Sequence, residues 1–330
     1  MLMSGGAHAL DRARGRILGA VGRWPAAQAL ARRRGLRLCV VGCATVALAF
    51  AGVALVPLMM LAVAPVVLGV PHVAADLRYL VVRRDVLPRR AWAPLAVAAA
   101  ACTVAAAVGD VQLVVAIGFG GVALAAGLAV GRPRRRALVA LAAAAVAVAA
   151  ASWPQAAALM MAQAHNVIAV ALALWLVRDK LRLGWLPALA FAAGVAAIAA
   201  GALDAPLAAA LARGGTGALF AHAVASSSWS STWIVRAVGL FAFAQAVHYG
   251  AWLRLVPDGE RAGERPIGYR RSLALLRADF GRAAPLVIAA SIALPLAACG
   301  ALGDVRAAYF TLAAFHGYLE LAFVAAAVAR

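Results

Sequence analysis

The stretch from Leu38 to Arg78 is almost wholly apolar, and its length constrains the fold more than any other feature. A helix of about 20 residues covers about 30 Å of hydrocarbon. This stretch is about twice as long as one crossing needs, so it predicts a helical hairpin that turns at Pro57. Equally long apolar runs follow it. Barrel strands would be roughly 10 residues of alternating polarity, which these runs are not. Overall 66% of the 330 residues are hydrophobic and 13% charged, with mean hydropathy +0.92. A soluble domain is about 45–50% apolar. The expected fold is an all-α, polytopic transmembrane helical bundle.

About ten spans are expected, near residues 38–56, 59–80, 91–108, 111–130, 137–152, 156–177, 185–202, 232–254, 283–300 and 305–327. The positive-inside rule orients them. With the N-terminus inside, the inner segments are 1–37, 78–90, 131–136, 178–184, 254–282 and the C-terminus, and they hold 28 of the 31 Lys and Arg residues. Only Arg213, Arg236 and Arg306 fall outside. Both termini are therefore expected to be cytoplasmic, in a bacterial cytoplasmic (inner) membrane. The net charge of +19 follows from this loop placement and does not indicate nucleic acid.

Residues 1–37 form a basic N-terminal segment, and 38–330 a single membrane domain. Leu10, Ile17, Leu18, Val21 and Trp24 share one helical face, as in an amphipathic helix lying on the membrane surface. No apolar stretch followed by a cleavage site occurs there, so no cleaved signal peptide is expected. Tyr269–Arg277 reads as a second short interfacial helix or a solvated loop. Residues 203–231 are the largest outer segment and are compatible with a loop, a lid or a re-entrant hairpin. Cys39, Cys43, Cys102 and Cys299 form no CxxC motif and read as small apolar helix residues.

Four histidines interrupt the apolar runs: His72, His165, His248 and His316. They fall on spans 2, 6, 8 and 10, which all run in one direction. Ionisable groups at membrane depth are costly and need partners. Each histidine has polar company. Asp76 lies four residues after His72 and Glu320 four after His316, each on the same helical face. Gln163 and Asn166 flank His165, and Gln245 and Tyr249 accompany His248. A metal-bound imidazole needs its second ring nitrogen oriented by a carboxylate, carbonyl or amide. The four histidines are candidate metal ligands. Asp76, Glu320 and Tyr249 are candidate catalytic groups, and Gln163, Asn166 and Gln245 candidate cofactor-binding groups. Counted from the nearest inner Arg, His165 and His316 lie about 10 Å deeper than His72 and His248.

The ordinary alternatives are packing histidines bonded to helix backbone, an Asp76 paired with Arg78, and tyrosines 79, 249 and 318 as interface anchors. Imidazoles suit Fe, Cu and Zn, and the added carboxylates favour non-haem Fe(II). An apolar bundle around iron would admit O₂ and a lipophilic substrate from the bilayer.

The H-x-x-x-D element His72–Asp76, on an early span of a polytopic helical chain with further histidines on later spans, resembles the Brp/Blh family of membrane β-carotene dioxygenases. The local likeness runs from Gly69 to Leu80 and departs from the family at Val73, where glycine is usual. It implies one iron held by four histidines, with His72 and Asp76 at the matching positions, and a carotenoid- or lipid-like substrate. A b-type haem protein, with His72/His248 and His165/His316 as two clamps, and a transporter with a histidine/carboxylate relay are the competing readings.

Overall fold

A computed structural model describes residues 2–84, 86–181, 183, 185–213, 229–263 and 266–330. These residues are helical almost throughout, with no strand among them. Helices α1 (Leu2–Val21) and α2 (Pro25–Arg32) precede α3 (Arg34–Leu55) and α4 (Pro57–Asp76). Then follow α5 (Arg89–Ala107), α6 (Val111–Leu128), α7 (Pro133–Ser152), α8 (Pro154–Val177), α9 (Trp185–Ala199) and α10 (Asp204–Ala212). The last four are α11 (Ser231–Gly250), α12 (Tyr269–Phe280), α13 (Ala284–Leu312) and α14 (His316–Ala329).

The junctions obey helix-end chemistry. Pro57, Pro133 and Pro154 each open a helix at the position where the missing N–H costs nothing. Between α5 and α6, Gly109 takes φ +74° and the Asp110 carboxylate accepts from the Leu113 N–H at 2.9 Å. That cap lets the chain reverse within three residues and pack α5 against α6.

Among the described residues, eight helical stretches are long and apolar enough to cross a membrane. The pair α9 and α10, bent by 62°, makes a ninth if taken as one broken span. The eighth stretch, Tyr269–Ala329, is 61 residues long and too long for one crossing. It breaks at Gly281, at the non-helical Ala301, which falls between the two last expected spans, and again at 313–315, inside the expected span 305–327. Helix α7 has no buried residue, and Leu138, Leu141 and Val148 on it are exposed. Leu286, Ile292 and Leu296 of α13 are exposed as well. Apolar faces of this extent are stable against lipid rather than water. The chain is a multi-pass membrane protein.

Several expectations need adjustment. Helix α3 starts at Arg34, one turn before the expected span, because its basic first turn is docked rather than solvated. Arg34 is buried and donates to the carbonyls of Gly259 (3.4 Å) and Gly263, and Arg37 pairs with Asp258 at 2.6 and 2.9 Å. Tyr79 is buried under the guanidinium groups of Arg78 and Arg83 instead of anchoring at a lipid interface. Arg306 is buried too, donating to the Leu61 carbonyl at 3.1 Å and lying over the Phe310 ring. Of the expected outer segment, α10 is described, and residues 214–228, including His222, lie outside the described residues.

The interior forms two apolar clusters. One contains Leu61, Phe243 and Val247, and the other contains Tyr79, Leu80, Trp252 and Phe323. Along α4 the residues between Leu61 and Tyr79 include His72 and Asp76, and along α11 His248 falls between Val247 and Trp252. The titratable groups therefore sit where the two clusters meet. Just beyond them, both α4 and α11 widen into π-helical turns, Leu77–Val82 and Ala251–Leu255. Such turns shift the facing of every later side chain and recur at functional sites.

Candidate metal centre

His72 and Asp76 are fully buried on α4, one turn apart, with Nε2 and Oδ2 separated by 3.1 Å. Asp76 thus turns inward. Its expected alternative partner, Arg78, pairs with Asp279 at 2.5 Å instead. Helix α11 supplies His248, whose ring centroid is 4.2 Å from that of His72. Glu320 arrives from α14, also fully buried. Its Oε1 is 3.3 Å from His248 Nε2 and its Oε2 is 3.2 Å from His165 Nδ1 on α8. One ligating atom from each of His72, Asp76, His248 and Glu320 can be chosen so that all four lie within 4.8 Å of one another. This group could hold a metal ion.

His165 and His316 border that set. The four imidazoles close a loop: His72–His248 at 4.2 Å, His248–His165 at 4.9 Å, His165–His316 at 4.6 Å and His316–His72 at 5.5 Å between centroids, with neighbouring rings nearly perpendicular. The depth offset of about 10 Å expected from residue counts is not seen. Distance from an inner Arg is not depth when α14 begins after a break at 313–315 and the lower ends of α4 and α11 are π-helical. The two carboxylates belong to the compact donor set, and His165 and His316 stand beside it.

The backbone and amides settle which nitrogens face inward. His248 Nδ1–H donates to Asn166 Oδ1 at 3.0 Å, and Asn166 Nδ2 donates to the Ala162 carbonyl at 3.0 Å, which fixes the amide's orientation. His316 Nδ1–H donates to the Ala313 carbonyl at 2.8 Å, which also accepts from the His316 backbone N–H at 3.0 Å across the helix break. In both residues Nε2 is left as a lone pair without a hydrogen-bond partner. The same holds for both His72 nitrogens, both Asp76 oxygens and Glu320 Oε1. Seven of the twelve unpartnered buried side-chain atoms among the described residues thus belong to this cluster. A buried polar atom without a partner costs about 1–3 kcal/mol, so their convergence has a cause.

A bound cation meets that cost. With metal–nitrogen bonds of about 2.1 Å and a ring radius of about 1.1 Å, ligand centroids sit about 3.2 Å from the ion. Rings at 90–110° to each other would then be about 4.5–5.2 Å apart, which the observed 4.2–5.5 Å brackets. Two carboxylates in a dry interior also need positive charge nearby. Haem fits less well. Axial histidines on opposite faces would be about 6.4 Å apart between centroids, and the proposed pairs are at 4.2 and 4.6 Å.

Tyr249 is buried with its ring 4.9 Å from His72 and 5.6 Å from His248. Gln245 is buried, and its carboxamide oxygen has no hydrogen-bond partner. Gln163 donates to the Ala237 carbonyl at 3.2 Å and fastens α8 to α11. Trp252 closes the lower side, donating to the Ala169 carbonyl at 3.2 Å. Tyr309 is a neighbour that sequence reasoning missed. Its hydroxyl approaches that of Tyr249 without completing a well-formed hydrogen bond, and its ring fills the space that the absent side chain of Gly69 leaves. Its position seven residues before His316 was the available signal.

A cavity of about 330 Å³ adjoins the cluster, and His165, Gln245, Tyr249, His316 and Tyr318 form its polar edge. Met161, Phe241 and Phe310 make the rest largely apolar. Comparison with protein-family models, curated proteins and solved structures gives no match.

Proposed function

We propose that the protein is a membrane-embedded non-haem iron oxygenase acting on a lipophilic, carotenoid- or lipid-like substrate. One observation carries this reading: a compact, dry set of two imidazoles and two carboxylates adjoins two more imidazoles, His165 and His316, which themselves line an apolar cavity. Mixed imidazole and carboxylate donors suit Fe(II) better than copper, and other transition metals remain chemically compatible. Iron held there would supply redox chemistry with O₂.

The chain's own residues do the rest. Asn166 and the Ala313 carbonyl hold His248 and His316 with Nε2 turned inward. Glu320 Oε2 is held by His165 Nδ1 at 3.2 Å, while its Oε1 faces the Nε2 lone pair of His248 at 3.3 Å. Met161, Phe241 and Phe310 exclude water and accept an apolar chain from the bilayer, while Gln245 and Tyr249 offer polar contacts at the inner end of the cavity. In the proposed topology ten spans cross a bacterial inner membrane with both termini cytoplasmic, as the distribution of arginines supports.

The test is metal analysis of the full chain purified in detergent, followed by O₂ uptake with β-carotene in mixed micelles. About one iron per chain and substrate-dependent uptake are expected. The histidine/carboxylate relay is favoured by one contact pattern, Glu320 bridging His165 and His248. It predicts a folded wild-type protein that retains no metal, and that result would replace the oxygenase reading.

A further inference from the structure

At the arginine-rich end of the bundle the described residues enclose a second cavity, of about 400 Å³, unrelated in chemistry to the first. Arg14 comes from α1, Arg78 from the π-helical turn after α4 and Arg83 from just past it, and Arg254 and Arg261 from the segment after α11. Among the described residues, Asp258 is the one carboxylate on its wall. The nearby acids are already engaged. Asp258 accepts from Arg37 at 2.6 Å and contacts Arg261, and Asp279 accepts from Arg78 at 2.5 Å and pairs with Arg83 at 2.8 Å. Arg14 and Arg254 make no ion pair among the described residues, and Arg261 Nε is buried without a hydrogen-bond partner.

We propose that this cleft binds a phosphate-bearing anion, either the headgroup of an anionic phospholipid or a soluble phosphate. Guanidinium groups present paired N–H donors that match phosphate oxygens, and five of them around one space give that match from several sides. The local field is already strained. Burial, and then the neighbouring Arg37 and Arg34, bring Arg261 down to about 10. An anion relieves that repulsion. The cleft is assembled by tertiary contacts: the Asp11 carboxylate accepts from the Tyr269 N–H at 2.7 Å and the Arg270 N–H at 3.2 Å, joining α1 to α12 over the arginines. Those same N–H groups hold Asp11 below the usual carboxylate range.

The position has a consequence for the metal centre. Arg78 follows His72 by six residues and Arg254 follows His248 by six, which is about 9 Å of helix. An anion held between them clamps the lower ends of the two helices that carry His72, Asp76 and His248.

The experiment follows thermal unfolding of the full chain in a neutral maltoside detergent. The probes are dioctanoyl phosphatidylglycerol, dioctanoyl phosphatidylcholine and inorganic phosphate against chloride at equal ionic strength. Saturable stabilisation is expected with the anionic probe and not with phosphatidylcholine. In R14Q/R254Q, which breaks no ion pair among the described residues, the apparent affinity falls roughly tenfold or more. In R271Q/R277Q, exposed arginines of α12 outside the cleft, it stays unchanged. Stabilisation by phosphatidylglycerol alone assigns a lipid headgroup, and stabilisation by phosphate as well assigns a soluble phosphate. Equal responses from wild type and R14Q/R254Q, or equal responses to both lipids, overturn the proposal.

Discussion

Nδ1 of His248 donates to Oδ1 of Asn166 across 3.0 Å, and that bond decides which nitrogen of His248 faces the other ligating atoms. The amide cannot flip without giving up its own bond to the Ala162 carbonyl. Asn166→Ala therefore leaves the helices packed but frees the ring. Metal affinity should fall about 10–100-fold, alongside a lowered thermal midpoint from the buried His248 N–H left without a partner, about 1–3 kcal/mol. Competition with a chromophoric chelator measures it, and unaltered affinity would mean that His248 does not ligate.

His72→Ala and Glu320→Gln remove donors from the compact set itself. Each should reduce bound metal to below about a tenth of wild type. His165→Ala should cost less, because His165 contacts Glu320 rather than belonging to the compact set. Elemental analysis of the three purified variants ranks them, and a larger loss in His165→Ala than in His72→Ala would reverse the assignment.

Gly69 is present because the Tyr309 ring occupies the place of a side chain there. Gly69→Ala should destabilise by about 1–3 kcal/mol through overpacking, read as a lowered unfolding midpoint. Pairing it with Tyr309→Leu should recover part of the loss, since the overlap is the cause. If the double variant is worse than the sum of the single ones, another contact is responsible.

The helices could be read from the sequence because apolar runs of membrane length have few alternatives. His72, His165, His248 and His316 stood out as the titratable residues within those runs, and the spacing of four residues found Asp76 and Glu320. The missing parts depend on tertiary geometry. The Ala313 carbonyl comes within reach of the His316 ring at the break at 313–315. The π-helical turns after Asp76 and Gly250 change register without any sequence mark. That the carboxylates enter the compact set and His165 stands behind Glu320 depends on how four helices meet. The burial of Arg306 has the same origin: its acceptor, the Leu61 carbonyl, is on a different helix.

Asp258 concentrates the interactions that hold α3 to the segment after α11. It accepts from Arg37 Nε and Nη2 at 2.6 and 2.9 Å and also contacts Arg261, with all three side chains mostly shielded from solvent. Breaking a buried pair by deleting one partner leaves the other charge uncompensated and costs about 3–5 kcal/mol. The partial exposure here puts Asp258→Ala near the lower end, at about 2–3 kcal/mol. Asp258→Asn retains the shape and one acceptor oxygen and should cost less. Both variants keep every group of the metal centre, so metal content per folded chain should match wild type while the midpoint of unfolding in detergent falls. A loss of metal in step with stability would show instead that α3 and the segment after α11 support the ligands directly.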